Sequence, residues 1–224
     1  MVSTMQPILR FAAMLLSLAA FECAHAQTEF EPPSGKGRVV VAVSGASGAG
    51  NYQLAAKQVA KFGYDVFLVD GNDLTGDDGT KLKAVVEKAQ QSAHALPGKV
   101  GVIGFSLGGA YVLGHAVQWP DLVAVAVAMY PLTRTITNMN GYVARFKVPV
   151  LVLAGEKDSY HDCCLIETAR AMAAAAAERN QQFELVTYPR ADHDFIIGGR
   201  TYDAIAAPDA WQRTEAKFKQ YLGS

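Results

Sequence analysis

Six short apolar runs, Val39–Val43, Asp65–Val69, Val100–Ile103, Val123–Met129, Val150–Ala154 and Phe183–Tyr188, are spread along this chain. Between and after them lie five stretches of helical length and spacing: Tyr52–Phe62, Thr80–Ala93, Ala110–Trp119, Leu165–Arg179 and Pro208–Leu222. The runs are rich in valine and do not alternate apolar with polar residues. A sheet made from them needs cover on both faces. The regular alternation of strand and helix therefore predicts one α/β domain, a mostly parallel sheet of about six strands with helices on both sides. Half of the 224 residues are apolar, enough for one sizeable core. In such sheets ligands gather at the carboxyl ends of the strands, so chemistry is expected in the loops that follow the runs.

The first 26 residues read differently from the rest. Arg10 supplies a positive charge, Phe11 to Phe21 is apolar apart from Ser17, and Ala24-His25-Ala26 is an A-x-A site before Gln27. That is the layout of a secretory signal peptide over 1–26. Its apolar run is well short of the ~20 residues a membrane span needs. The expectation is export, to the periplasm or outside the cell, with no membrane attachment after cleavage near Ala26-Gln27. Residues 27–37, with Pro32-Pro33 and Ser34-Gly35, read as a polar lead-in, and 38–224 as the α/β domain. A formal net charge of −1 gives no electrostatic footprint for nucleic acid.

The strongest local signal is Gly104-Phe105-Ser106-Leu107-Gly108, placed between the third apolar run and the helical stretch after it. A G-x-S-x-G in that context is a nucleophile elbow. The serine sits on a sharp turn, and the flanking glycines remove Cβ atoms that would collide there. The helix N-terminus behind it offers unpaired N–H groups to an oxyanion. A serine nucleophile needs a base, and the base an orienting acid. In the chain order serine, acid, histidine, the base comes late, which selects His193, after the last strand, over His94, His115 and His161. Asp158, in the loop after Val150–Ala154, is the leading acid, with Glu156 and Asp162 as rivals. Asp192 and Asp194 are sequence neighbours of the histidine and poorly placed to reach it. The backbone N–H groups of Leu107 and of Ala46, in the loop after the first run, are the expected oxyanion donors.

With the G-F-S-L-G-G elbow, the G-x-x-D ending at Asp158, the Y-P-x-A-x-H ending at His193 and the tail from Tyr202-Asp203-Ala204 to Ala210-Trp211-Gln212-Arg213-Thr214, the chain resembles the dienelactone hydrolase family of α/β-hydrolases from about Val39 onward. The resemblance implies hydrolysis of a small ester or lactone through Ser106, His193 and Asp158; no cofactor and no metal are expected. Three positions depart from the family pattern. Best-known members carry cysteine where this chain has Ser106. The loop after the first strand commonly holds a glutamate where Gly45 stands, and the common glycine after the histidine is Asp194 here. The short lead-in also implies that the usual extra N-terminal strands are shortened or missing.

Two other readings compete. Gly45-Ala46-Ser47-Gly48-Ala49-Gly50 after a strand, with Asp70 ending the next one, resembles the dinucleotide-binding turn of an NAD(P)-dependent oxidoreductase, although the spacing is not G-x-G-x-x-G. A non-catalytic secreted binding module on a hydrolase scaffold is the other. Cys163 and Cys164 are adjacent and outside any spaced framework, and are expected as two half-buried thiols, with a vicinal or intermolecular disulfide as the alternative in an oxidising compartment. Tyr130 to Pro149 is polar and too short for a helical lid. An exposed serine in a shallow pocket open to water is expected, favouring short acyl groups.

Overall fold

The computed structural model describes residues 27–223; the proposed signal peptide lies outside the described residues. A seven-stranded sheet forms the centre, in the order β1-β3-β2-β4-β5-β6-β7. Its strands are β1 (Gln27–Phe30), β2 (Gly37–Val43), β3 (Asp65–Val69), β4 (Ala95–Phe105), β5 (Val123–Met129), β6 (Val150–Gly155) and β7 (Phe183–Tyr188). All pairs are parallel except β1, which runs antiparallel to β3 with Gln27 opposite Val69. The polar lead-in is thus partly a strand. Four residues of mixed polarity carry little periodic signal, and β1 forms because the edge of β3 offers unpaired backbone groups.

Helices α1 (Ala49–Lys61), α2 (Thr80–Ala89), α3 (Leu107–Gly114), α4 (Met139–Val143), α5 (Ile166–Glu178) and α6 (Ala206–Leu222) complete the fold. Val39, Val41 and Val43 of β2 join a core with α2, α3 and α5, whereas Val40 and Ala42 join another with α1 and α6. Both faces of one strand are apolar because each meets its own helical layer, which accounts for the missing alternation. Strand β4 starts five residues earlier than its apolar run, because Ala95 and Leu96 pair with Gly37 and Arg38 before a register shift. Helix α6 begins at Ala206, which places Pro208 in the first turn where no N–H is needed. The segment 130–149 contains only the five-residue α4, which packs on α5.

Candidate active site

Strand β4 ends at Phe105, and Ser106 takes φ 50° and ψ −111° before α3 starts at Leu107. A serine in this left-handed region is strained, and it is held from three sides. Its N–H donates to Met129 O, and its carbonyl accepts from Ala110 N and Leu132 N. The glycines are required by space: a Cβ at Gly104 would collide with Gly108 O, and one at Gly108 with Val43 O. These contacts press α3 against the ends of β4 and β2. Among the described residues neither the Leu107 nor the Ala46 N–H has an acceptor.

The loops after β6 and β7 are laced together by Glu156 N donating to Tyr188 O and Lys157 N to Ala191 O, both at 3.0 Å. That lacing brings Asp158 to His193. His193 Nδ1 lies 2.7 Å from Asp158 Oδ2, and Nε2 lies 3.1 Å from Ser106 Oγ. Because a carboxylate only accepts, Nδ1 carries the proton and Nε2 presents its lone pair to the serine. The three residues predicted from scattered positions in the chain are therefore assembled in hydrogen-bonding order. The rival acids are turned elsewhere. Glu156 accepts from Thr187 Oγ1 at 2.6 Å and meets Arg170 at 3.0 Å. Asp192 accepts from the His193 N–H, and Asp162 is exposed. Of the other histidines, His94 faces Glu31 and Gly35 O, and His115 packs on Gly79.

The expected exposed serine is not found: Ser106, His193 and Asp158 are 6 %, 4 % and 4 % exposed. The cover is aromatic, which periodicity does not reveal. The Tyr130 ring meets His193 in a T-shaped contact at 4.9 Å between centroids, and Tyr160, from the Asp158 loop, stacks on the imidazole at 4.6 Å. Tyr130 is fully buried, its hydroxyl makes no well-formed hydrogen bond among the described residues, and burial first, then the nearby Tyr52 hydroxyl and Asp194 carboxylate, push it well above the ordinary tyrosine range.

The departures at Gly45 and Asp194 share one cause, Tyr52. A Cβ at Gly45 would collide with the Tyr52 hydroxyl and come within 3.3 Å of Ser106 Cβ, so a glutamate there has no room. Ala46, the next residue, consequently lies in the loop running past the serine. The same hydroxyl donates to Asp194 Oδ1 at 3.1 Å. Asp194 has φ 57°, a conformation that glycine adopts freely and aspartate more readily than most residues.

The dinucleotide reading conflicts with the role of Asp70. Its carboxylate accepts from Ala49 N at the start of α1, from Asn72 and from Ser44. Burial raises the Asp70 pKa, but these donors outweigh it and hold the group below the usual carboxylate range. The helix N-terminus that would face a pyrophosphate is already served by the acid that would hold the ribose.

Cys163 and Cys164 are joined by a disulfide, contrary to the expected free thiols. The chain curls through His161 and Asp162, at φ 48° and 52°, and both cysteine side chains turn inward, each residue 4 % exposed. Their sulfurs and a ring nitrogen of His193 lie within 4.8 Å of one another. The segment 158–164 thus supplies Asp158, the stacked Tyr160 and a sulfur wall beside the histidine.

Comparison with known proteins agrees with this architecture. The sequence model of the dienelactone hydrolase family matches residues 71–222. Protein usf of Aquifex pyrophilus is 32 % identical over 144 residues, 63 % of this chain and 59 % of that protein. A Bradyrhizobium protein named "Probable 2-oxo-3-(5-oxofuran-2-ylidene)propanoate lactonase" is 30 % identical over 161 residues, 66 % of this chain and 62 % of that one. The chain spans about three fifths of the length of these curated relatives. Among solved structures, a dienelactone hydrolase-like promiscuous phosphotriesterase from metagenomic libraries superposes with a TM-score of 0.71 at 20 % identity, over 88 % of this chain and 100 % of that one. By fold and by sequence, the chain belongs to the dienelactone hydrolase family.

Proposed function

We propose that the protein is a serine hydrolase that cleaves small esters or lactones through an acyl-enzyme on Ser106. The observation that carries this reading is the run of contacts from Ser106 Oγ to His193 Nε2 and from His193 Nδ1 to Asp158, at 3.1 and 2.7 Å, on an elbow whose following helix amide has no acceptor among the described residues. As Ser106 Oγ attacks a carbonyl carbon, His193 takes its proton. The imidazolium formed is balanced by Asp158 and faces the Tyr160 ring, a favourable place for a cation. The Leu107 and Ala46 N–H groups receive the negative charge on the carbonyl oxygen. His193 then protonates the departing alkoxide, and a water activated by the same nitrogen releases the acid. The lactonase name of the Bradyrhizobium relative supports a cyclic or small ester. The small exposure of Ser106 and the short 130–149 segment also favour compact substrates. The leader-like residues 1–26 support export.

A fluorophosphonate probe and a short-chain ester panel test the proposal together. The expected result is one adduct on Ser106 and hydrolysis that Ser106→Ala reduces by several orders of magnitude. An unlabelled Ser106 with no ester hydrolysis would overturn it in favour of a non-catalytic module, and a variant keeping more than a tenth of the turnover would overturn Ser106 as the nucleophile.

A further inference from the structure

The geometry points to a second use of the histidine: with the Cys163–Cys164 disulfide reduced, the two thiolates and the His193 imidazole form a site for a thiophilic divalent cation such as Zn²⁺. Two sulfurs and one ring nitrogen already fall within 4.8 Å of one another, all on buried residues. A tetrahedral Zn²⁺ holds sulfur at about 2.3 Å and imidazole nitrogen at about 2.0–2.1 Å, which sets ligand atoms roughly 3.5–4 Å apart. The sulfurs, bonded to each other in the disulfide, therefore have to separate, and the imidazole has to approach only slightly. The backbone around them is fixed, since Cys163 O accepts from Thr133 N at 2.8 Å and Arg134 N at 3.0 Å. The adjustment falls on the cysteine side chains.

The chemistry balances with a dithiol as reductant. Its two thiols give two electrons and two protons to the Cys163–Cys164 bond and close into their own disulfide. The cation then displaces the two cysteine thiol protons to solvent. Two soft sulfur ligands and an imidazole favour Zn²⁺ or Cd²⁺ over Mg²⁺ or Ca²⁺, which take oxygen. Either ring nitrogen serves the purpose. A cation on Nε2 removes the lone pair facing Ser106, and one on Nδ1 displaces Asp158. The disulfide is then the state in which His193 is protected from such metals. The inhibition arm of this inference rests on the serine-hydrolase reading; the binding arm does not.

The test is a Cd²⁺ titration of the protein from Gln27 to Ser224, which lacks Cys23, oxidised and after dithiothreitol treatment and desalting, read by the ultraviolet thiolate-to-cadmium absorption and by short-ester hydrolysis. The oxidised protein should give no thiolate band and keep its activity. The reduced protein should take up one Cd²⁺ per chain, lose activity in step with the band, and recover with a chelator. Reduced His193→Gln should bind at least tenfold more weakly, the loss that even an outer-shell change can bring. Reduced Ser106→Ala should bind like the parent. Absence of a band in the reduced protein, equal affinity in reduced His193→Gln, or full hydrolysis at saturation would each overturn the inference. If the oxidised, metal-free protein hydrolyses no ester, the proposed function fails, and the absorption and His193→Gln arms still decide the site.

Discussion

Removing a single buried oxygen should show how the two loops that carry the reaction are held together. Tyr52→Phe deletes the hydroxyl that donates to Asp194 Oδ1 and leaves the ring on Phe105, whose centroid is 4.9 Å away. Because packing is retained, the cost is that of the hydrogen bond. A bond to a charged acceptor contributes about 1.5–3 kcal/mol. For a domain of this size each kcal/mol moves Tm by roughly 2–4 °C, so a loss of about 2 kcal/mol lowers it by about 4–8 °C. Asp194→Asn keeps an acceptor and should cost less, about 1 kcal/mol. The double variant should show a coupling energy of about 1 kcal/mol or more, as expected for two groups in direct contact. Activity should fall mainly in kcat, because the bond ties the start of α1 to the residue beside His193 and does not bound a substrate. Urea denaturation and steady-state ester hydrolysis on all four proteins complete the cycle. A Tyr52→Phe variant within 0.5 kcal/mol of the parent, or strictly additive losses, would refute the reasoning.

Two further outcomes follow from the same geometry. Asp158→Asn should reduce turnover by roughly 10⁴-fold or less by releasing the wrong imidazole tautomer. Glu156→Gln should leave it within a few-fold, since that carboxylate is spent on Thr187 and Arg170; parallel kinetics on the two variants decide the acid. At the opposite end of the sheet, Asp65 is buried with no well-formed hydrogen bond to its carboxyl among the described residues, and burial, aided by Glu29 and only partly offset by Ser92 and His94, pushes its pKa up to about 6. A carboxyl whose folded pKa lies above its unfolded value favours folding when protonated, so this contribution is lost as pH rises from about 4 through 6. Asp65→Asn should therefore raise Tm relative to the parent at pH 7.5 and much less at pH 4.5, checked by paired thermal melts.

How far the sequence could be read depended on the range of each signal. The strands β3, β5 and β7 match their apolar runs end to end; β3 and β5 do so because an apolar run buried on both faces has no other stable use, and β7, only partly buried, does so as the last strand of the sheet. The elbow and the order Ser106, Asp158, His193 were legible because strand-end position is written in the sequence. Four features were not. Strand β1 depends on a partner edge that sits some forty residues further along. The aromatic cover of His193 joins Tyr130 and Tyr160 from two different loops. The disulfide depends on a curl at two non-glycine residues with positive φ. The link between Gly45 and Asp194 passes through Tyr52, a residue with no local distinction.

That hydroxyl also constrains the routes by which such a site can change over generations. The space beside Gly45 that a glutamate would need is filled by Tyr52. Exchanging Ser106 for cysteine alters one atom on an elbow whose tight contacts fall on Gly104 and Gly108. Restoring a glutamate at 45 is a different matter, because it has to wait until Tyr52 has become smaller. A smaller residue at 52 in turn leaves Asp194 without its donor, in a backbone conformation that glycine would adopt more cheaply. Positions 45, 52 and 194 are thus bound to change as a group and in a preferred order, while the nucleophile itself is free to change alone.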